Sequence, residues 1–144
     1  MTMSEAQPKL VSEEVLAQFR LIYAALSRGD IEPYLALLDD DVELHQSPDV
    51  PGTKGTFWGK QGAVEGLNEL AEVFGHIDWN PLRAYDLGDE RFLVLLKPKV
   101  RGVGSGIEVE SKVGHLAQGR DGKILRMDTY IGWDKALEAV GLSE

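Results

Sequence analysis

Residues 105–134 read SGIEVESKVGHLAQGRDGKILRMDTYIGWD, and the alternation inside this stretch decides the fold. A strand turns successive side chains to opposite faces. Ile107, Val109, Ser111, Val113, His115 and Ala117 therefore share one face of a first strand, and Glu108, Glu110, Lys112, Gly114, Leu116 and Gln118 share the other. The first set is the expected buried, concave face. It carries one residue able to exchange protons near neutral pH, His115. A three-residue loop, Arg120-Asp121-Gly122 with glycine in the left-handed position, keeps odd positions opposite odd positions. Leu125, Met127, Thr129 and Ile131 then extend the concave face along a second strand, while Arg126, Asp128 and Tyr130 point outward.

Working outward, strands are predicted over 79–87, 91–101, 106–118 and 124–132, with turns at Gly88-Asp89, in GVGSG at 102–106 and at 120–122. Setting Val100 opposite Val109 places Lys99 against Glu110, Arg101 against Glu108 and Leu93 against Leu116. Opposite charges then line one face, and Val94, Leu96 and Val100 join the apolar set on the other. Upstream, Ser12 is an N-cap followed by Glu13 and Glu14, and Val15, Phe19, Ile22 and Leu26 recur at helical spacing up to Gly29. Asp30 is expected to cap a second helix through Ile31, Tyr34, Leu35 and Leu38, with Pro33 in its first turn. Asp39 to Asp41 close that helix and lead into a short strand, Val42 to Gln46. The segment SPDVPGTKG is a loop, and Gly59 to Gly75 is a third helix with Val64, Leu67, Leu70, Ala71 and Phe74 inward. WDKALEAVGL closes the chain as a short helix. Helices first and a curved antiparallel sheet afterwards give an α+β class with three helices on one sheet face.

The chain has 144 residues, 43% of them hydrophobic, which suits one domain over 12–144 behind a loose N-terminal tail at 1–11. No apolar run approaches the ~18 residues that span a bilayer, and the first residues lack a secretory pattern. The absence of cysteine excludes disulfides and thiolate metal sites and fits a cytoplasmic location. A net charge of −9 with scattered basic residues argues against nucleic acid and anionic membrane surfaces. Neutral small molecules and other proteins are the expected partners.

Five motifs then stand in order: YAALSRGD at 23–30, DDDVE at 39–43, SGIEVE at 105–110, RDGKI at 120–124 and ALEAVGL at 136–142. Over residues 12 to 142 this order resembles the SnoaL-like branch of the nuclear transport factor 2-like superfamily. The resemblance implies a conical α+β barrel with a pocket between the helices and the concave sheet. It also implies a choice among polyketide cyclase, ketosteroid isomerase, epoxide hydrolase, dehydratase and noncatalytic binding roles. Aligned on Gly29-Asp30, the isomerases' oxyanion-donating tyrosine falls on Ile22, beside Tyr23, and their carboxylate base falls on Gln46. In the resembling aldol-type cyclases, a strand histidine matches His115 and the aspartate base falls on Thr129. Asp128 lies next to it on the outer face unless a one-residue β-bulge turns it inward.

The expected site follows. His115 is the general acid or base, with Gln46 or Thr129 orienting a carbonyl or water, in chemistry that needs no cofactor. His45 lines the pocket mouth; Tyr23, Tyr34, Trp58 and Trp79 form an aromatic wall for a planar ligand; Ser111 and Met127 complete the concave lining. His76 ends the third helix, where a cation suits the helix dipole. Asp39, Asp40, Asp41 and Glu43 form a solvated charge run and no metal site, and the glycines of GVGSG serve a hairpin. Leu93, Leu95, Leu116 and Tyr130 make an apolar patch on the outer sheet face, expected to pack against a second copy in a two-fold dimer. The functional alternatives are a cofactor-independent isomerase, cyclase or hydratase acting on a lipophilic or ring-containing metabolite, a noncatalytic ligand-binding protein, and a protein-interaction module.

Overall fold

The Oγ of Ser12 accepts a hydrogen bond from the N–H of Val15 at 3.2 Å, and the first helix starts there in the computed structural model, which describes residues 8–49, 55–101 and 106–143. Helix α1 runs Glu13–Ser27 with two acidic residues in its first turn, and Gly29 ends it at φ +83°. The others are α2 (Glu32–Leu37), α3 (Gly59–Phe74) and α4 (Trp133–Ala139). Ile31 rather than Asp30 holds the cap position of α2, although the Asp30 carboxylate still accepts from Glu32 N–H at 3.4 Å.

Strands β1 (Lys9–Leu10), β5 (Pro81–Gly88), β6 (Arg91–Leu96), β9 (Val113–Arg120), β10 (Lys123–Ile131), β2 (Leu38–His45) and β3 (Thr56–Trp58) form one seven-stranded sheet in that spatial order. Within it β10 and β2 are parallel and the other neighbours antiparallel. Strands β4 (Ile77–Asp78), β7 (Lys99–Arg101) and β8 (Glu108–Glu110) form a second, three-stranded sheet. Lys9 and Leu10, expected in the loose tail, pair with Asp86 and Tyr85. Asp39 to Asp41, expected to close α2, are already strand residues of β2.

The predicted register holds, but the strands carrying it break. Val100 pairs with Val109, Lys99 with Glu110, Arg101 with Glu108 and Leu93 with Leu116. The two expected long strands are each split, at Lys97-Pro98 and at Ser111-Lys112. Pro98 has no N–H for a ladder and its carbonyl takes the N–H of Ser111 at 3.1 Å. Beyond this break Ile107, Val109 and Ser111 are exposed instead of lining the concave face.

The hairpin tip differs by one residue and is then corrected by one. Asp121 and Gly122 both take positive φ (54° and 80°), so the loop has two residues and Arg120 pairs with Lys123. A bulge between Ile124 and Arg126 inserts Leu125 and restores the expected facing: Met127 opposite Ala117, Thr129 opposite His115, Ile131 opposite Val113. The bulge lies upstream of Asp128 and leaves it outward. There its carboxylate accepts from Nε and Nη2 of Arg126, both at 3.0 Å.

Helices α1, α2 and α3 cover the concave face. Leu16 and Tyr23 of α1 pack on Ala84, Val94, Leu96 and Val113. Helix α3 approaches through Gly62, Ala63 and Gly66, whose small side chains admit Phe57; Ala71, expected inward, is exposed. On the outer face the apolar patch is not free. Helix α4 lays Trp133, Ala136 and Leu137 over Leu93 and Leu95, which are fully buried, with Leu116 and Tyr130 packed alongside. The expected dimer surface is thus occupied by the chain's own C-terminal helix. Burying two leucines there is worth roughly 1.5–3 kcal/mol each. No helix among the described residues is long and apolar enough to cross a membrane.

Candidate functional site

Between the helices and the concave sheet lies a cavity of about 250 Å³. Phe19, Ile22, Tyr23 and Leu26 of α1 line it, as do Tyr34 of α2, Leu67 and Leu70 of α3, and Phe57 of β3. From the sheet come Leu44, Phe92, Val94, His115, Ala117, Met127 and Thr129, with Gln46 just past β2 and Trp79 before β5. The lining is predominantly apolar and aromatic with a few polar groups, the composition of a small-molecule site.

Tyr23 and His115 form its polar centre. The Tyr23 hydroxyl lies 2.8 Å from Nδ1 of His115, and the two rings stack at 5.8 Å with an interplanar angle of 20°. Trp79 stands 5.8 Å from the imidazole and 6.5 Å from the Tyr23 ring. Ser27 ties this wall together, donating from Oγ to the Tyr23 carbonyl at 3.0 Å and accepting the Trp79 N–H at 2.9 Å. Burial lowers the His115 pKa to about 4, because desolvation penalises the cation. Burial pushes the Tyr23 hydroxyl well above its ordinary value, with Tyr34 adding to the rise, and acts alike on Tyr34. Both members of the pair are therefore neutral at pH 7. A neutral imidazole has one N–H and one bare nitrogen. If Nδ1 carries the proton, the Tyr23 O–H is left over; if Nε2 carries it, Tyr23 donates to Nδ1 and the Nε2–H is left over. Either tautomer leaves the pair one spare donor.

Gln46 and Thr129 also line the cavity, and neither side chain has a hydrogen-bond partner among the described residues. Thr129 stands directly opposite His115 across β9 and β10. Of the expected ligand-binding residues, Tyr23, Tyr34, Trp79, Met127 and His45 reach the cavity wall. Trp58 does not: Phe57 takes the inward position of β3, so period-two alternation turns Trp58 out, 64% exposed. Ser111 does not either, being exposed beyond the strand break. His45 stands at the rim, with Nε2 3.1 Å from Glu43 Oε1 and Nδ1 3.4 Å from Thr56 Oγ1. His76 is exposed just past α3.

Sequence reading missed Phe19, Leu44, Phe57, Phe92 and Ile124 as lining, together with Glu90 and Lys123 at the hairpin end of the cavity. Alternation within Thr56–Trp58 against Val42–Leu44 carried the signal for Phe57. Nothing local marks Glu90, which sits at φ +59° and accepts the N–H groups of Asp121 and Gly122 from the next hairpin. Lys123 is fixed by donating to the Ala36 carbonyl at 2.7 Å. In the acidic run, Asp39 accepts the Asp41 N–H and faces Arg120, and these hold its carboxyl below the usual range. No group of three or more metal-ligating side chains is present among the described residues.

No family model and no curated protein matches the chain. Solved structures do. TerC, crystallised with polyporic acid, is 26% identical with a TM-score of 0.71, over 87% of this chain and 96% of its own. A nuclear transport factor 2-like protein of unknown function from Burkholderia pseudomallei is 20% identical with a TM-score of 0.72, over 90% of this chain and 99% of its own. A protein of ketosteroid isomerase-like fold from Catenulispora acidiphila, solved with trimethylamine, is 13% identical with a TM-score of 0.65, over 92% and 95%. TM-scores of 0.65 to 0.72 over nearly the whole of each chain show that the fold is shared with these structures. The chain has the fold of nuclear transport factor 2-like structures.

Proposed function

We propose that the chain binds a neutral, ring-containing small molecule in the cavity and hydrogen-bonds one of its oxygens through the Tyr23–His115 pair. The observation that carries this reading is the pair itself, bonded at 2.8 Å and set in a predominantly aromatic and aliphatic wall. A charged ligand group placed against the apolar wall around the pair, whose two members are both neutral, would lose its hydration there without an ionic partner. A carbonyl or hydroxyl would gain the pair's spare donor. The likeness to TerC, solved with polyporic acid, supports a small organic ligand. Titration with 2-naphthol, followed by its fluorescence, tests the reading: saturable binding is expected in the wild type and at least tenfold weaker binding in Tyr23→Phe. Absence of saturation would overturn it.

A second reading is favoured by the Tyr34 hydroxyl, which has no hydrogen-bond partner among the described residues and raises the Tyr23 pKa through space. Several neutral donors around one ligand oxygen would stabilise the enolate formed when solvent hydroxide takes the α-proton, the intermediate of a cofactor-independent isomerase, cyclase or hydratase. His115 then acts in its neutral form, polarising the oxygen, since a base with pKa near 4 is weak at pH 7. Exchange of the α-hydrogens of 2-tetralone with deuterated water, followed by NMR, tests this. Acceleration that disappears in His115→Gln supports it, and a rate equal to buffer alone overturns it.

A further inference from the structure

A second cleft, of about 320 Å³, opens on the outer surface where β2 ends, lined by His45, Gln46, Ser47, Asp49, Asp128, Thr129, Tyr130 and Lys135 among others. Three residues, His45, Gln46 and Thr129, belong to both this cleft and the inner cavity. The reason is topological. Asp128 opposite His45 is the last paired position between β10 and β2. After it Gln46 turns away, its N–H donating to the Gly55 carbonyl at 2.6 Å, while β10 continues to Ile131. The barrel wall is therefore unzipped from Gln46 and Thr129 onward.

We infer that this seam is a side portal, and that the ligand is bipartite: an apolar ring in the cavity joined to a neutral, polyhydroxylated group lying in the outer cleft. This rests on the ligand-binding reading above and names the ligand class for that site. The chemistry of the seam selects the polar group. Gln46 and Thr129 offer donors and acceptors that no described residue uses, at the point where the two spaces meet. Ser47 and Tyr130 add hydroxyls beyond them. The charges of the cleft are already matched, Asp49 with Lys135 at 3.2 Å and Asp128 with Arg126 at 3.0 Å, and His45 is hydrogen-bonded to Glu43 at 3.1 Å. No uncompensated side-chain charge is left in the cleft among the described residues to attract an ionic head group, whereas hydroxyls can bond to Gln46, Ser47, Thr129 and Tyr130. The opening is also next to the polar centre, since Thr129 is the cross-strand partner of His115. A ring oxygen bonded to Tyr23–His115 is thus the natural point at which a substituent would leave the cavity.

Three probes sharing one ring test the inference by competition and direct titration: 2-naphthol, 2-naphthyl β-D-glucopyranoside and 2-naphthyl sulfate. The glucoside is expected to bind at least as tightly as 2-naphthol, and the sulfate at least tenfold more weakly than the glucoside. Ser47→Ala and Tyr130→Phe, at positions that line the outer cleft and not the cavity, are expected to weaken the glucoside by about tenfold and change 2-naphthol less than twofold. Binding of 2-naphthol with exclusion of the glucoside would overturn the portal while leaving the cavity reading intact. A sulfate that binds as well as the glucoside, or variants that weaken both uncharged probes equally, would also overturn it. If none of the three binds, the cavity reading falls with it. Circular dichroism and the urea midpoint of each variant confirm that the comparison is made between folded proteins.

Discussion

Gly114 and Ala136 touch with no space between them: a Cβ on Gly114 would overlap the Cβ of Ala136, while meeting Leu93 and Leu95 at ordinary contact distance. This contact lets α4 settle onto the outer face of the central strands, and it explains why the apolar patch there is an interior rather than an interface.

Gly114→Ala is expected to destabilise the fold by about 1–3 kcal/mol, the usual cost of overpacking. Ala136→Gly in the same chain should recover part of that loss, because it removes the atom that clashes. Urea unfolding of the two single variants and the double variant measures both, and an unchanged midpoint for Gly114→Ala would contradict the packing described.

Tyr23→Phe leaves Nδ1 of His115 buried without its partner. The expected cost is about 1–3 kcal/mol, read as a lower denaturation midpoint with unchanged far-ultraviolet circular dichroism. A variant as stable as the wild type would mean that the pair is not formed in solution.

The pH dependence of stability follows from His115. Its folded pKa is about 4 against an ordinary 6.5, so between these values the unfolded chain takes up a proton that the folded chain does not. Stability from this group is undiminished above pH 6.5, falls as pH drops toward 4, and is lower by about 3 kcal/mol beneath that. His115→Gln should remove this part of the acid dependence. Equal slopes between pH 6.5 and 4 for the two proteins would refute the assignment.

Two tryptophans should behave oppositely. Trp58 is 64% exposed at the sheet edge, and Trp58→Ala is expected to shift stability by no more than about 0.5 kcal/mol. Trp133 is buried on the outer face with Nε1 donating to the Leu96 carbonyl at 2.9 Å, and Trp133→Ala should cost about 3–5 kcal/mol. Thermal unfolding of both variants decides, and similar losses would show that the edge assignment of Trp58 is wrong.

Local sequence carried the helix starts, the register of the central strands and the inward facing of His115 and Thr129, because each follows from a short-range rule: a cap, a period or a matched charge pair. The hairpin tip departed from the expected facing, a two-residue turn bringing Ile124 to the cavity in place of Leu125, and the bulge at Leu125 restored that facing from Met127 onward. The outward position of Trp58 follows the same parity, since Phe57 pairs with the inward Leu44 and Trp58 with Glu43.

What the sequence by itself determined is therefore the α+β order, the pairing of Val94 with His115, the concave facing of Thr129, and the presence of one histidine on the concave face. Only the tertiary structure decided the rest. The break at Pro98 and Ser111 depends on two strands bending together, the covering of Leu93 and Leu95 depends on where α4 lands, and the seam at Gln46 depends on β2 leaving β10. The Tyr23–His115 bond joins residues 92 positions apart, and no periodicity within either element encodes such a distance, because it is set by how the helix and the sheet pack.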